Sequence, residues 1–196
     1  MKKIAFFDFD GTITTNDTLF EFIKYQKGKT RFYIGFLVNV PVMAALRLKL
    51  VPNQFTKEKV LQYFFKGMQL SDFQQSCDLF IANKLPSIIR DDATVEIKKL
   101  QASDFEVVIV SASAENWIRK WSDKIGVQLI ATKLEIAGDI LTGKIAGKNC
   151  NGNEKAIRIK SAYDLSQYDE IYCYGDTSGD EAMLALATKA FFKPFR

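Results

Sequence analysis

The stretch Ile4-Ala5-Phe6-Phe7-Asp8-Phe9-Asp10-Gly11-Thr12 sets two carboxylates directly behind four apolar residues. A short apolar run closed by a turn residue reads as a buried strand, and the acids fall in the loop at its end. The pattern recurs near the other end of the chain, in Ile171-Tyr172-Cys173-Tyr174-Gly175-Asp176-Thr177-Ser178-Gly179-Asp180. In an open α/β sheet, ligands bind outside the carboxyl ends of the strands. Two strands that deliver acids to one edge gather negative charge there, and such charge needs a cation to persist. A hard cation with oxygen ligands, Mg²⁺ above all, is the expected occupant.

Outward from these two segments, further strands are expected at Glu106 to Val110, Val127 to Ala131 and Ala190 to Phe192. Helical patterns separate them: Asp92 to Ala102, Ala114 to Lys124 with Ser113 as N-cap, Glu154 to Tyr163 behind Asn153, and Asp180 to Thr188. Strands alternating with helices imply a parallel, doubly wound, Rossmann-like α/β sheet with helices on both faces. Leu134-Glu135-Ile136 and Leu141 to Ile145 read as a small hairpin beside it. One length breaks the pattern. About 95 residues separate Gly11 from the Glu106 strand, where a βαβ unit needs on the order of 30. The excess is helical in character, with segments at Thr18 to Lys27, Arg31 to Leu50 and Thr56 to Lys66. A fourth opens at the capping box Ser71-Asp72-Phe73-Gln74. Residues 15–87 are therefore read as a helical cap over the sheet's carboxyl edge, and 1–14 with 88–196 as the catalytic core.

Composition removes several function classes. The chain of 196 residues has no histidine, which excludes Ser-His and Cys-His nucleophile systems and His-ligated zinc. The three cysteines, Cys77, Cys150 and Cys173, form no C-x-x-C pair, so neither a disulfide framework nor a zinc finger is indicated, in keeping with a reducing cytoplasm. A net charge of +4 without a long basic block does not suggest nucleic acid. The N-terminal apolar run is interrupted by Asp8 and Asp10, so no signal peptide is expected there. Phe32 to Leu46 is apolar over 15 residues, short of the roughly 20 that span a bilayer. Its flanks are basic: Lys24, Lys27, Lys29 and Arg31 on one side, Arg47 and Lys49 on the other. A buried helix with solvated ends is the preferred reading, with peripheral contact at the inner membrane face as the alternative.

Four segments together resemble the haloacid dehalogenase superfamily of phosphohydrolases. Phe7-Asp8-Phe9-Asp10-Gly11-Thr12 is similar to the first motif, Val107-Val108-Ile109-Val110-Ser111 to the second, Gly152-Asn153-Glu154-Lys155 to the third and Gly175 to Asp180 to the fourth. The position of the inserted cap matches the subclass with a helical insert after the first motif. The resemblance implies an aspartyl-phosphate route. Asp8 would be the nucleophile and Asp10 the general acid and then base. Ser111 and Lys155 would complete the catalytic set, with Gly11, Thr12, Ser111, Ala112 and Lys155 around the phosphate. Mg²⁺ would be held by Asp8, the Asp10 carbonyl and Asp176, with Asp180 as ligand or support.

The resemblance leaves the substrate open. Phosphoserine phosphatases share the architecture, but three positions depart from their pattern. Asp17 stands where they carry glutamate, Ala112-Ser113 where they carry two glycines, and Gly179 where they carry asparagine. The shorter Asp17 gives up about 1.5 Å of reach toward a substrate amine. The cap, from Phe32 to Leu50 and through Tyr63-Phe64-Phe65-Lys66-Gly67, is more similar to that of phosphatidylglycerophosphate phosphatase type relatives. A phosphomonoester with an apolar portion, such as a lipid phosphate, is the expected substrate. Arg47 and Arg31 are the cap cations best suited to touch it. A phosphoserine or other small-metabolite phosphatase, a phosphotransferase and a non-catalytic phosphate-binding protein are the alternatives.

Overall fold

The computed structural model describes residues 2–48 and 50–196. Lys49, one of the expected basic flanks, lies outside the described residues, as does Met1. Five strands form one parallel sheet: β1 (Lys3–Phe7), β2 (Phe105–Ala114), β3 (Gln128–Thr132), β6 (Glu170–Gly175) and β7 (Lys189–Phe192), in the order β3-β2-β1-β6-β7. The order reverses between β1 and β6. That is the switch point where an open sheet parts to make a ligand crevice, and both carboxylate pairs follow these two strands. The expected doubly wound α/β architecture is the observed one.

Alternation along β1 builds a core on each face. Ile4 and Phe6 pack with Val108, Val110, Cys173, Ile159 and Met183 on one side. Ala5 and Phe7 face the other side, against Val107, Ile109 and Tyr174. Helices α5 (Asp91–Ala102) and α6 (Arg119–Lys124) cover the second face, while α7 (Asn153–Ala162) and α8 (Glu181–Leu184) cover the first. Phe7 stacks on Tyr174 at 4.1 Å between ring centroids, and Tyr174 on Phe191 at 4.4 Å. This stack of rings ties β1, β6 and β7 together directly beneath the acidic loops.

Between β1 and α5 the chain forms α1 (Thr18–Lys27), α2 (Lys29–Arg47), α3 (Asn53–Phe65) and α4 (Leu70–Asn83). The stem is narrow. Arg90 N–H donates to the Ile13 carbonyl at 2.8 Å and Thr15 N–H to the Ile88 carbonyl at 2.8 Å. Phe22 sits at the junction and packs on Phe65, Phe73, Phe80 and Trp117. A hairpin of β4 (Leu134–Ala137) and β5 (Ile140–Ile145) rises from the core to meet the cap. Gly67 N–H donates to the Leu141 carbonyl and Leu141 N–H to the Met68 carbonyl, at 2.9 and 3.0 Å.

Several local expectations are corrected. The second strand does not end before Ser111. It runs on through a bulge to Ala114, so Ser113 is a strand residue and caps no helix. The helix expected from Ala114 shrinks to a 3₁₀ turn, Glu115–Trp117, and the short α6. The capping box at Ser71 does not form. Helix α4 starts at Leu70, and the Gln74 amide reaches Asp78 and the Asn116 carbonyl instead. Gly152, not Asn153, caps α7.

Helix α2 departs furthest from expectation. Only Phe32, Gly35 and Asn39 are buried on it. Tyr33, Leu37 and Val38 are 65, 73 and 58 % exposed. Gly35 lets α2 lie close on α3, because a Cβ there would collide with the Phe64 ring. The opposite apolar face meets no part of the chain among the described residues. Among the described residues, no helix is long and apolar enough to cross a membrane.

Candidate active site

The ends of β1, β2 and β6 and the start of α7 converge on Asp8. Its N–H donates to the Tyr174 carbonyl at 2.8 Å, which locks the first acidic loop onto β6. Lys155, in the first turn of α7, is 1 % exposed. Its ammonium donates to Asp8 Oδ1 at 2.5 Å, to Asp180 Oδ1 at 2.7 Å and to the Val110 carbonyl at 2.8 Å. All three protons of the ammonium are thereby used. Burial opposes its charge, yet Asp8 and Asp180 hold its pKa above the ordinary lysine value.

The carboxylates have divided roles. Asp180 Oδ2 accepts from Asp176 N–H, Thr177 N–H and the Thr177 hydroxyl, at 3.1, 3.0 and 3.1 Å. Burial works against its ionisation, but Lys155 and these donors bring it below the usual carboxylate range. Asp176, also buried, accepts from the Thr12 hydroxyl at 3.3 Å and from Arg196 Nη2 at 2.5 Å. Burial raises it in spite of Arg196. Asp8 is pushed up to about 7. Burial is the main cause, Lys155 pulls the other way, and the Asp180 and Asp10 charges add to the rise. Such a carboxyl is only partly ionised at neutral pH, and added positive charge beside it favours the ionised form. Oxygens of Asp8, Asp176 and Asp180 all lie within 4.8 Å of one another, a hard donor set that fits a small divalent cation. Since Asp180 is already saturated, Asp8 and Asp176 are the freer donors.

Asp10 faces the cap. Its Oδ1 accepts from Thr18 N–H at 2.7 Å and the Thr18 hydroxyl at 2.6 Å, and its Oδ2 from the Ser113 hydroxyl at 2.5 Å. Trp117 Nε1 donates to the Thr18 hydroxyl at 3.1 Å and so anchors the group to the hydrophobic junction. Ser111 is fully buried, and its Oγ accepts from Ser113 N–H at 3.0 Å. Gly11 has φ +86°, and a Cβ there would lie 2.5 Å from Asp176 Oδ2, so any other residue would strain the backbone and push on Asp176. Gly11 N–H goes to the Thr14 hydroxyl at 3.2 Å. Gly11 and Thr12 thus shape the Asp176 side of the site.

A cavity of about 410 Å³ opens above these groups. Asp8, Asp10, Ser113, Lys155 and Asp180 form its floor, and Ala112 lies at the edge. Leu19, Phe20, Phe36, Met43, Leu46 and Val60 form an apolar roof. Asp17 and Arg47 are among the residues that line it. Asp17 Oδ1 caps α1 by accepting from Phe20 N–H. Its side chain is open to solvent, but the surrounding cavity wall, then the Asp10 charge, push it up to about 6. Arg31 is not in this cavity. It lines a separate cleft with Lys27, Ile34, Tyr63 and Phe64.

Sequence reasoning missed Lys57, Thr18, Ser113 and Arg196. Lys57 reaches from α3 into the cavity, where it donates to the Ala112 carbonyl at 2.5 Å and to Asn149 Oδ1 at 3.3 Å. Burial draws its pKa down, against the Asp17 and Asp10 charges. Nothing in the sequence separates it from Lys59, which instead lies over the Phe55 ring. The one available signal was the helical spacing Asn53, Thr56, Lys57, Val60, which places four cavity residues on one face of α3.

A chain with paired carboxylates at the switch point of a parallel sheet, a buried lysine between them and a helical cap above belongs to a recognisable class. Residues 5–185 match the haloacid dehalogenase-like hydrolase family, and the protein belongs to it. Protein CicA of Caulobacter vibrioides is 31 % identical over 192 residues, which is 97 % of this chain and 85 % of the relative. A Bordetella pertussis protein of unknown function has the same fold, with a TM-score of 0.84 at 19 % identity over 97 % of this chain and 89 % of the other. A substrate-bound phosphoserine phosphatase superposes with a TM-score of 0.72 at 17 % identity, covering 98 % and 86 % of the two chains.

Proposed function

We propose that the protein is a Mg²⁺-dependent phosphomonoester hydrolase that acts through an aspartyl-phosphate on Asp8. The observation that carries this reading is the Asp8 carboxylate on the floor of the cavity, with Asp10 beside it and the Lys155 ammonium 2.5 Å away. Asp8 attacks phosphorus while the bond to the leaving oxygen breaks and Asp10 gives that oxygen a proton. Asp10 then takes a proton from water as the water attacks phosphorus, releasing phosphate and restoring Asp8. Lys155 neutralises charge around the nucleophile and Ala112 borders the phosphate, while the fully buried Ser111 supports that segment through the Ser113 N–H. Asp8, Asp176 and the Asp10 carbonyl would hold Mg²⁺, which lowers the repulsion between the anionic nucleophile and the anionic phosphate. With p-nitrophenyl phosphate as substrate, EDTA should lower turnover about a hundredfold or more, with recovery on excess Mg²⁺. Unchanged activity in EDTA would overturn the metal assignment.

The substrate is read as a phosphomonoester with an apolar portion, of the phosphatidylglycerophosphate kind. The apolar roof supports this, because Phe36, Met43 and Leu46 come from the same helix whose other face exposes Tyr33, Leu37 and Val38. Lys29, Arg31 and Arg47 at the ends of that helix suit an anionic lipid surface, at about 1 kcal/mol per cation. Vesicles of anionic lipid should sediment with the protein at low salt and release it at high salt. Absence of binding, together with turnover of small phosphates but not of phosphatidylglycerophosphate, removes the lipid reading. Phosphoserine is the second reading. Asp17 at the cavity wall favours it, as an acid that could receive the amine.

A further inference from the structure

Among the described residues, two buried side-chain polar atoms have no hydrogen-bond partner in the protein: Gln26 Oε1 and Thr56 Oγ1. Only Thr56 lines the active-site cavity, and it is 6 % exposed. Leaving a buried hydroxyl unpaired is unfavourable, and valine would fill the same volume without that cost. A helical threonine usually turns its hydroxyl to the carbonyl one turn back. Here the Pro52 carbonyl receives the Thr56 N–H at 3.3 Å but not the hydroxyl. Asn53, Lys57 and Val60 share the same helix face, so Thr56 lies where the polar wall of the cavity meets its apolar roof.

We propose that Thr56 is a specificity residue whose hydroxyl pairs with a hydroxyl on the leaving group, between the phosphoester oxygen and the apolar portion. The ligand class is a hydroxyalkyl monophosphate, polar next to phosphate and apolar beyond. This inference rests on the phosphomonoester reading above. Its physical basis is a difference. A site built to pair with a hydroxyl rejects the analogue that lacks it, because the buried group on the protein then stays unpaired.

The test compares 2-hydroxyhexyl phosphate with hexyl phosphate. The wild-type protein should favour the hydroxylated substrate about tenfold in kcat/KM, the size of one net hydrogen bond. Thr56→Val should bring the ratio of kcat/KM for the two substrates to about one. Thr56→Ser should keep the preference. The substrate-free Thr56→Val protein should melt at or above the wild-type temperature, since the unpaired hydroxyl is gone. Equal use of the two substrates by wild type would overturn the proposal, as would a preference that survives in Thr56→Val. A fall of several degrees in Tm for Thr56→Val would also overturn it by assigning the hydroxyl to the fold. If wild type hydrolyses no phosphomonoester, the hydrolase reading fails. Calorimetric titration of the Asp8→Asn protein with the same two phosphates then judges Thr56 by the same tenfold difference in Kd.

Discussion

Asp8→Asn should lower turnover of p-nitrophenyl phosphate with Mg²⁺ by about 10⁴-fold or more, the scale on which removal of a nucleophile acts. The fold should survive it. Asparagine has the same shape, its amide oxygen can still accept from Lys155, and the loop is held by the Asp8 N–H bond to the Tyr174 carbonyl. Thermal melting within a few degrees of wild type would separate lost chemistry from lost structure. Activity within tenfold of wild type would sink the assignment of Asp8. Inorganic phosphate release is the measurement, and covalent phosphate should be trapped on the wild-type protein alone.

Lys155→Ala should be the most destabilising single change in the catalytic machinery. The ammonium satisfies Asp8, Asp180 and the Val110 carbonyl at once, with side-chain exposures of 1, 8 and 2 % for Lys155, Asp8 and Asp180. Without it, two buried carboxylates face each other uncompensated, at a cost of roughly 3–5 kcal/mol in denaturant unfolding. The pH dependence has a definite sign. Asp8 titrates in the fold near 7 against 3.8 ordinarily, even with Lys155 present. A carboxyl raised in this way contributes against folding once pH passes its unfolded value, and the penalty grows until the folded value is passed. Removing Lys155 raises it further. The gap between wild type and Lys155→Ala should therefore narrow toward pH 4 and widen through pH 7. Adding Asp8→Asn and Asp180→Asn to Lys155→Ala should recover part of the loss. A loss below about 1 kcal/mol, or a gap that widens toward low pH, would refute the buried-triad account.

The strands were legible because each is a short apolar run closed by turn residues, and a buried parallel strand has few other sequences available to it. The motif acids followed from the same pattern, since a carboxylate at the end of a buried strand has one edge of the sheet to face. Ser113 was misread for a definite reason. A serine before a helical pattern is a good N-cap in isolation, and the bulge that carries β2 through Ala114 has no local signal. Pairing with β3 and the hydroxyl contacts to Asp10 and Thr18 decide it. Helix α2 was misread because its composition is apolar all round. Whether such a helix is buried depends on how many neighbours the fold supplies, and here it supplies α1 and α3 on one side only.

The sequence by itself determined the class of the protein: a parallel sheet with acids at its carboxyl edge, an inserted helical cap, and chemistry without histidine. These follow from periodicity, chain length and residue type, which are local properties. Tertiary structure alone decided how the four acids divide. It sets Asp180 to brace Lys155 and its own loop, leaves Asp8 and Asp176 as the freer oxygens, and surrounds Asp10 with Thr18 and Ser113 from distant segments. It also chose Lys57 over Arg31 for the cavity and left Thr56 buried there without a partner. The reason is the same in each case. A carboxylate's role is fixed by the donors that reach it, and a helix face by what packs against it. Both arise from segments far apart in the chain.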